Sequence, residues 1–151
     1  MDKLEILKRS DLFRELDDEQ LAVIAKMCTG KVFDPGTIIC KQGEIERCNY
    51  VVEDGLVGII LEVGPMAQRQ VQAAANFEVF GWSSMIEPYC STATVKAIEK
   101  TRVLVCDGRK LRTLCDTHPE IACKLFRGVA QIVAARLRQA YIQLLGITAQ
   151  D

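Results

Sequence analysis

Phe77–Ala97 reads FEVFGWSSMIEPYCSTATVKA. Phe77–Phe80 is short and apolar and stops at Gly81. Trp82-Ser83-Ser84-Met85-Ile86 is long enough for one helical turn. Beyond Glu87-Pro88, the segment Ser91–Ala97 alternates and is rich in β-branched residues, which predicts a strand. Gly81 admits backbone conformations that other residues resist and lets a neighbouring group come close. A helical turn directly behind it presents free backbone N–H groups, a place for an anion.

Outward from this stretch, Lys31 to Asp107 reads as short strands separated by turns. Val32-Phe33 precedes the turn Asp34-Pro35-Gly36, Thr37–Lys41 is β-rich, and Gly43-Glu44 marks a second turn. Tyr50-Val51-Val52 is a strand. Glu53-Asp54-Gly55 predicts a tight hairpin with Leu56–Val63 as the returning strand. Gly64-Pro65 ends it, Arg69–Ala75 is the next strand, and Val95–Ile98 with Arg102–Cys106 closes the set. Many short strands with regular turns predict an antiparallel sandwich or barrel.

Helices flank this region. Leu4, Leu7, Leu12, Phe13 and Leu16 recur at helical spacing in residues 2–30. Asp17 and Gln20 form a capping box opening a helix over Asp18–Cys28, and Gly30 fits the position that ends it. After the strands, Asp107 caps Arg109–Cys115. Thr117 and Glu120 predict a second capping box, with Pro119 in the first turn. The long helix that follows, Pro119–Leu145, spans roughly 40 Å, and Gly128 weakens it. Phe126, Ala130, Val133, Leu137, Ala140, Leu144 and Ile147 alternate in spacings of four and three, a heptad seam flanked by Arg136 and Arg138. Gly146 is a candidate terminator before Ile147. Leu125, Val129 and Ile132 make a second apolar row. Two rows suggest one for the domain and one for a second copy, although covering the β-region alone would also use such a face.

The 151 residues suffice for one domain. The formal net charge of −1 gives no footing for nucleic acid or an acidic membrane. No apolar run approaches membrane-helix length, and Asp2, Lys3 and Glu5 interrupt any secretory leader, so a cytoplasmic location is expected. Seven cysteines, an odd number without a C-x-x-C pair, argue against a disulfide framework or a metal site. Cys28, Cys106, Cys115 and Cys123 sit in apolar patterns and read as small buried hydrophobes, with redox sensing as the alternative. His118 alone cannot assemble a cupin-type metal site, and no paired-carboxylate, Ser-His or phosphate-loop motif is visible, so no enzyme is expected. His118 before Pro119 reads as a surface first-turn residue rather than a haem ligand.

Strand, Phe80-Gly81, one helical turn, loop and Ala93-Thr94-Val95 together resemble the phosphate-binding cassette of cyclic-nucleotide-binding domains, the sensor domains of the catabolite-activator type. Gly36, Gly43, Tyr50 and Gly55 resemble that family's glycine framework, and Phe13-Arg-Glu-Leu resembles its helical lead-in, so the likeness covers nearly all of 10–145. The resemblance implies a mainly β fold with flanking helices: an antiparallel, jelly-roll-like β-roll and a long C-terminal helix. The chain then divides into N-terminal helices (1–30), a β-roll (31–107, cassette 77–97) and C-terminal helices (108–147) of one domain. With the chain ending soon after the long helix, no helix-turn-helix DNA-binding domain is expected. The resemblance also implies a homodimer through Ala130, Val133, Leu137, Ala140 and Leu144.

The family cassette usually has Glu after Phe-Gly, for the ribose, and Arg before Ala-Thr-Val, for the cyclic phosphate. Here these positions hold Trp82 and Ser91, and Glu120–Ile147 carries no Ser or Thr for a purine. Losing two such contacts removes about 3–6 kcal/mol, or about 10²–10⁴ in affinity. Lys96 or Arg47 would have to supply a replacement cation. The expectation is a non-catalytic, regulatory ligand-sensing module with weak cyclic AMP or cyclic GMP binding, no cofactor, and an unidentified downstream protein. The alternatives are a ligand-free dimeric scaffold or a cyclic AMP domain with replacement contacts. The candidate ligand residues are Phe80, Gly81, Trp82, Ser83, Ser84, Ser91 and Thr92. Trp82 is either a plug filling an empty pocket, together with Met85, or the wall of a pocket for a flatter, less polar ligand.

Overall fold

The computed structural model describes residues 1–149, with side chains through residue 146. Two short helices, α1 (Lys3–Arg9) and α2 (Asp18–Ala25), lead into eight strands. These are β1 (Cys28–Phe33), β2 (Ile38–Cys40), β3 (Cys48–Asp54), β4 (Val57–Gly64), β5 (Ala67–Ala74), β6 (Val79–Phe80), β7 (Thr94–Ala97) and β8 (Thr101–Asp107). A 3₁₀ turn, Trp82–Met85, follows β6, and helices α3 (Gly108–Thr117) and α4 (Pro119–Ala149) close the chain.

The strands form two four-stranded antiparallel sheets, ordered β1-β8-β3-β6 and β2-β7-β4-β5. The period-two alternation of a strand gives the first sheet two apolar faces. Val52 and Val103 point at the second sheet, meeting Cys40, Val57, Ala74, Val95 and Ala97. Their neighbours Val51 and Leu104 point at the helices, meeting Leu7, Phe13, Leu21, Leu111, Leu125 and Val129. Each of the buried Val, Leu and Phe side chains among these contributes about 1.5–3 kcal/mol of apolar burial. The expected β-roll with flanking helices is therefore the observed architecture.

The capping box of α2 is present: Asp17 accepts from the Gln20 N–H at 2.9 Å, and the Gln20 side chain accepts from the Asp17 N–H at 3.0 Å. Its helix is shorter than the sequence suggests. The chain turns at Lys26, and Cys28 opens β1 with Gly30 in mid-strand opposite Leu104. A ladder with β8 outweighs local helical periodicity here. The β1–β8 register also sets Cys28 opposite Cys106, Cα atoms 4.4 Å apart, and their sulfurs form a disulfide. Cys28 and Cys106, expected as small buried hydrophobes without a partner, are thus buried but paired, a single cross-strand bridge rather than a disulfide framework. Cys123 is exposed rather than buried.

Three further readings change. Glu53-Asp54-Gly55 is not a hairpin, because β3 and β4 belong to different sheets and Gly55 (φ +123°) turns the chain from one to the other. A Cβ there would sit 2.7 Å from Thr101 Cα. Thr117 does not cap α4: its hydroxyl donates back to Leu114 in α3, while the His118 carbonyl accepts from the N–H groups of Ile121 and Ala122. Gly146 does not end α4, which continues to Ala149. The side chain of Ile147 lies outside the described residues. Asp107 caps α3 as expected, accepting from Arg109 and Lys110 N–H.

Candidate functional site

A cavity of about 910 Å³ lies between the second sheet, the Phe80–Ser83 and Ser91–Ala93 segments, and the far half of α4. Its floor is one cross-strand row. Cys40 pairs with Val95, Val95 with Ile59, and Ile59 with Gln72, so one lining residue comes from each strand in the order β2-β7-β4-β5. Three inter-strand spacings make this row about 14 Å long. Leu61, paired with Arg69, extends it one step along the hairpin.

The cassette end is built around Gly81. Its φ of +79° lies in the left-handed region, and a Cβ would stand 2.5 Å from the Cys48 carbonyl oxygen. Only glycine permits this approach of β6 to β3. Phe80 stacks on Tyr50 with centroids 4.7 Å apart. The 3₁₀ turn follows at once. Ser91 starts no strand: it stays in the loop, accepting from the Gly43 N–H at 2.9 Å and donating its own N–H to Glu44 at 2.9 Å.

Six of the seven residues expected at the site line the cavity: Phe80, Gly81, Trp82, Ser83, Ser91 and Thr92. Ser84 does not. It is fully buried against Gly108, its hydroxyl is unpaired, and its carbonyl accepts from Arg112. Trp82 is partly buried, one side against the helical core and another on the cavity, and Met85 is buried in that core. The cavity beside them is open, not plugged. Neither Lys96 nor Arg47 lines it.

Glu46 is the feature that the sequence did not announce. It is only 6% exposed and lines the cavity. The Ser91 hydroxyl donates to its Oε2 at 2.9 Å, and the Cys48 N–H reaches Oε1 at 3.5 Å. Burial, with the Glu46 charge beside it, pushes the Cys40 thiol far above its ordinary range, so it stays S–H and serves as a weak donor to Glu46. All three donors are neutral, and among the described residues no cation pairs with this carboxylate. Ser91 thus turns its hydroxyl to an anion.

The opposite end is held by α4. Arg136 donates to the Gln72 side chain at 3.2 Å and to the Ala73 carbonyl at 3.3 Å, while Gln72 donates to the Arg136 carbonyl at 3.0 Å. Gln143 donates to the Val71 carbonyl. These bonds fasten the helix across β5. Of the seam residues, Ala130 and Leu137 face outward, Val133 packs on the helical core, and Ala140 and Leu144 line the cavity. The far half of the helix runs past the β4–β5 hairpin, to which Arg136 and Gln143 tie it, so the last seam members meet the cavity. Leu125, Val129 and Ile132 form the buried row. Among the described residues no cluster of three or more His, Cys, Asp or Glu could hold a metal, and no helix is long and apolar enough to cross a membrane.

Residues 30–118 match the model of the cyclic nucleotide-binding domain. A candidate potassium channel protein of Rhodopseudomonas palustris is 30% identical over 87% of this chain and 30% of its own length. A CRP-like cAMP-activated global transcriptional regulator of Mycobacterium tuberculosis is 24% identical over 97% of this chain and 64% of its own. The chain therefore spans between about a third and two thirds of these curated relatives. A solved structure from Geobacter metallireducens superimposes with a TM-score of 0.80 at 29% identity, covering 91% of this chain and 99% of that one. A cyclic nucleotide-binding domain from Methylobacillus flagellatus does so with a TM-score of 0.81 at 19% identity, over 95% and 81%.

Proposed function

The chain belongs to the cyclic nucleotide-binding domain family, and from that premise we propose that it is a non-catalytic ligand-sensing module impaired for cyclic AMP and cyclic GMP. One observation carries the reading: the hydroxyl of Ser91 is bonded to the buried carboxylate of Glu46. A cyclic phosphate seated at the cassette would face an anion instead of a guanidinium. At about 5 Å and an effective dielectric of about 20, two like unit charges repel by about 3 kcal/mol. That adds to the contacts forgone at Trp82 and Ser91. The open cavity beside Trp82 favours a ligand site over a plugged, purely structural remnant.

The module signals through α4, which both walls the cavity and joins the helical core, to a second copy and to a separate protein. Phe126 (38% exposed) and Leu137 (49%) offer the outward apolar strip for a homodimer. Titration calorimetry with cyclic AMP and cyclic GMP tests the nucleotide part. The expected result is no heat up to millimolar nucleotide; micromolar binding overturns it.

A further inference from the structure

Glu46 is more than nine-tenths buried, lines the cavity, and has only neutral donors. An ionised carboxylate offers about four acceptor positions, and burying it without a cation is costly. The cavity supplies what such a group lacks: open space in front of it. The rest of the lining is apolar along most of its length, with Ile59, Leu61, Val71, Val95, Trp82 and Leu144 as walls. The guanidinium of Arg136 stands at the opposite end of the cross-strand row, already bonded to Gln72 and Ala73. The site is therefore polarised, with an uncompensated anion at the cassette, an apolar middle, and fixed positive charge at the hairpin.

We infer that the cavity takes an elongated apolar ligand carrying a primary ammonium group, whose head sits in the cassette against Glu46 and whose body lies along the Cys40–Val95–Ile59–Gln72 row. This rests on the reading of the cavity as a ligand site. It reverses the charge logic of a phosphate cassette: the same loop, with Ser91 orienting a carboxylate, selects a cation. The row of about 14 Å has room for a ring and a short alkyl chain.

Trp82 is the only tryptophan of the chain and a wall of the cavity, so its fluorescence reports occupancy directly. Three probes of matched shape, phenylbutylammonium, phenylbutanol and phenylbutyrate, are titrated against the full chain while indole emission is followed. The ammonium is expected to bind at least about tenfold more tightly than the alcohol, as a charge-assisted bond to a buried carboxylate implies. The carboxylate probe is expected to bind weakest. In Glu46→Gln the ammonium should fall to the affinity of the alcohol, whose own binding is unchanged. The ranking on the unaltered protein stands even if that variant does not fold. Equal binding of ammonium and alcohol, or tightest binding of phenylbutyrate, overturns the inference while leaving the cavity a ligand site. No response of Trp82 to any of the three overturns both.

Discussion

Gly128 sits in the third turn of α4, where helix propensity alone recommends alanine by about 1 kcal/mol. The structure reverses that sign. A Cβ on Gly128 would stand 2.6 Å from the carbonyl oxygen of Leu12 and 3.3 Å from its carbonyl carbon and Cα. That is about 0.7 Å short of even a close carbon–oxygen contact of about 3.3 Å. Neither side yields easily. Leu12 is 3% exposed, and Leu125 and Ile132, three residues before and four after Gly128 on the same helix face, are 0% and 5% exposed. Because a backbone carbonyl rather than a flexible side chain meets the Cβ, forcing the elements apart costs about 2–3 kcal/mol, the upper part of the overpacking range, and exceeds the gain in propensity. Gly128→Ala is therefore expected to be destabilised by about 1–2 kcal/mol, lowering Tm by about 3–6 °C for a chain of this length. Thermal unfolding followed by circular dichroism measures it. Gly146→Ala serves as the control, because nothing lies within 4 Å of a Cβ there and propensity acts alone. A Gly128→Ala protein as stable as the parent, or more so, would show that the helix does not press on Leu12.

Two other expectations concern charge and assembly. Burial, with Glu78 nearby, raises the Asp11 carboxyl to about 6, against the partial opposition of Arg136. A group that holds its proton more tightly in the fold makes stability fall as pH rises between about pH 4 and pH 6, by about 2–3 kcal/mol in full. Asp11→Asn should flatten that slope and be the more stable protein at neutral pH; urea midpoints across the range check it, and an unchanged slope would contradict the assignment. Leu137→Glu places a charge on the outward strip of α4 and, under the homodimer proposed through that strip, should leave a folded monomer. Light scattering after size exclusion reads this directly, and a variant that stays dimeric would move the interface elsewhere.

The frame of the fold was legible because turns and glycines carry local chemistry. Asp34-Pro35-Gly36, Gly43 and Gly81 each occupy left-handed or turn positions that their types favour, and the capping box at Asp17 and Gln20 formed as written. What misled were choices between equally good local solutions. Cys28–Gly30 could continue a helix or pair with β8, and only the distant strand decides. Glu53-Asp54-Gly55 could fold back or cross to the other sheet, and the close approach of Thr101 to Gly55 settles which. At the site, Phe80, Gly81 and Trp82 followed from the cassette pattern, whereas Glu46 did not. A glutamate in a polar loop after Gly43 carries no mark of burial. Its role arises from Ser91, 45 residues away in sequence, turning its hydroxyl to it.

The seat of α4 at Gly128 has a mechanical consequence. Gly128 lets the helix lie against the Leu12 carbonyl, and Gly146 at the cavity lies about 27 Å further along at 1.5 Å per residue. Between the two, Arg136 and Gln143 tie the helix to β5, so a tilt of about 5° about Gly128, which would move the cavity end by about 2 Å or close to half the spacing between strands, has to break those bonds. The helix is thus held at both ends of this span, by backbone approach to Leu12 at one and by hydrogen bonds to β5 at the other.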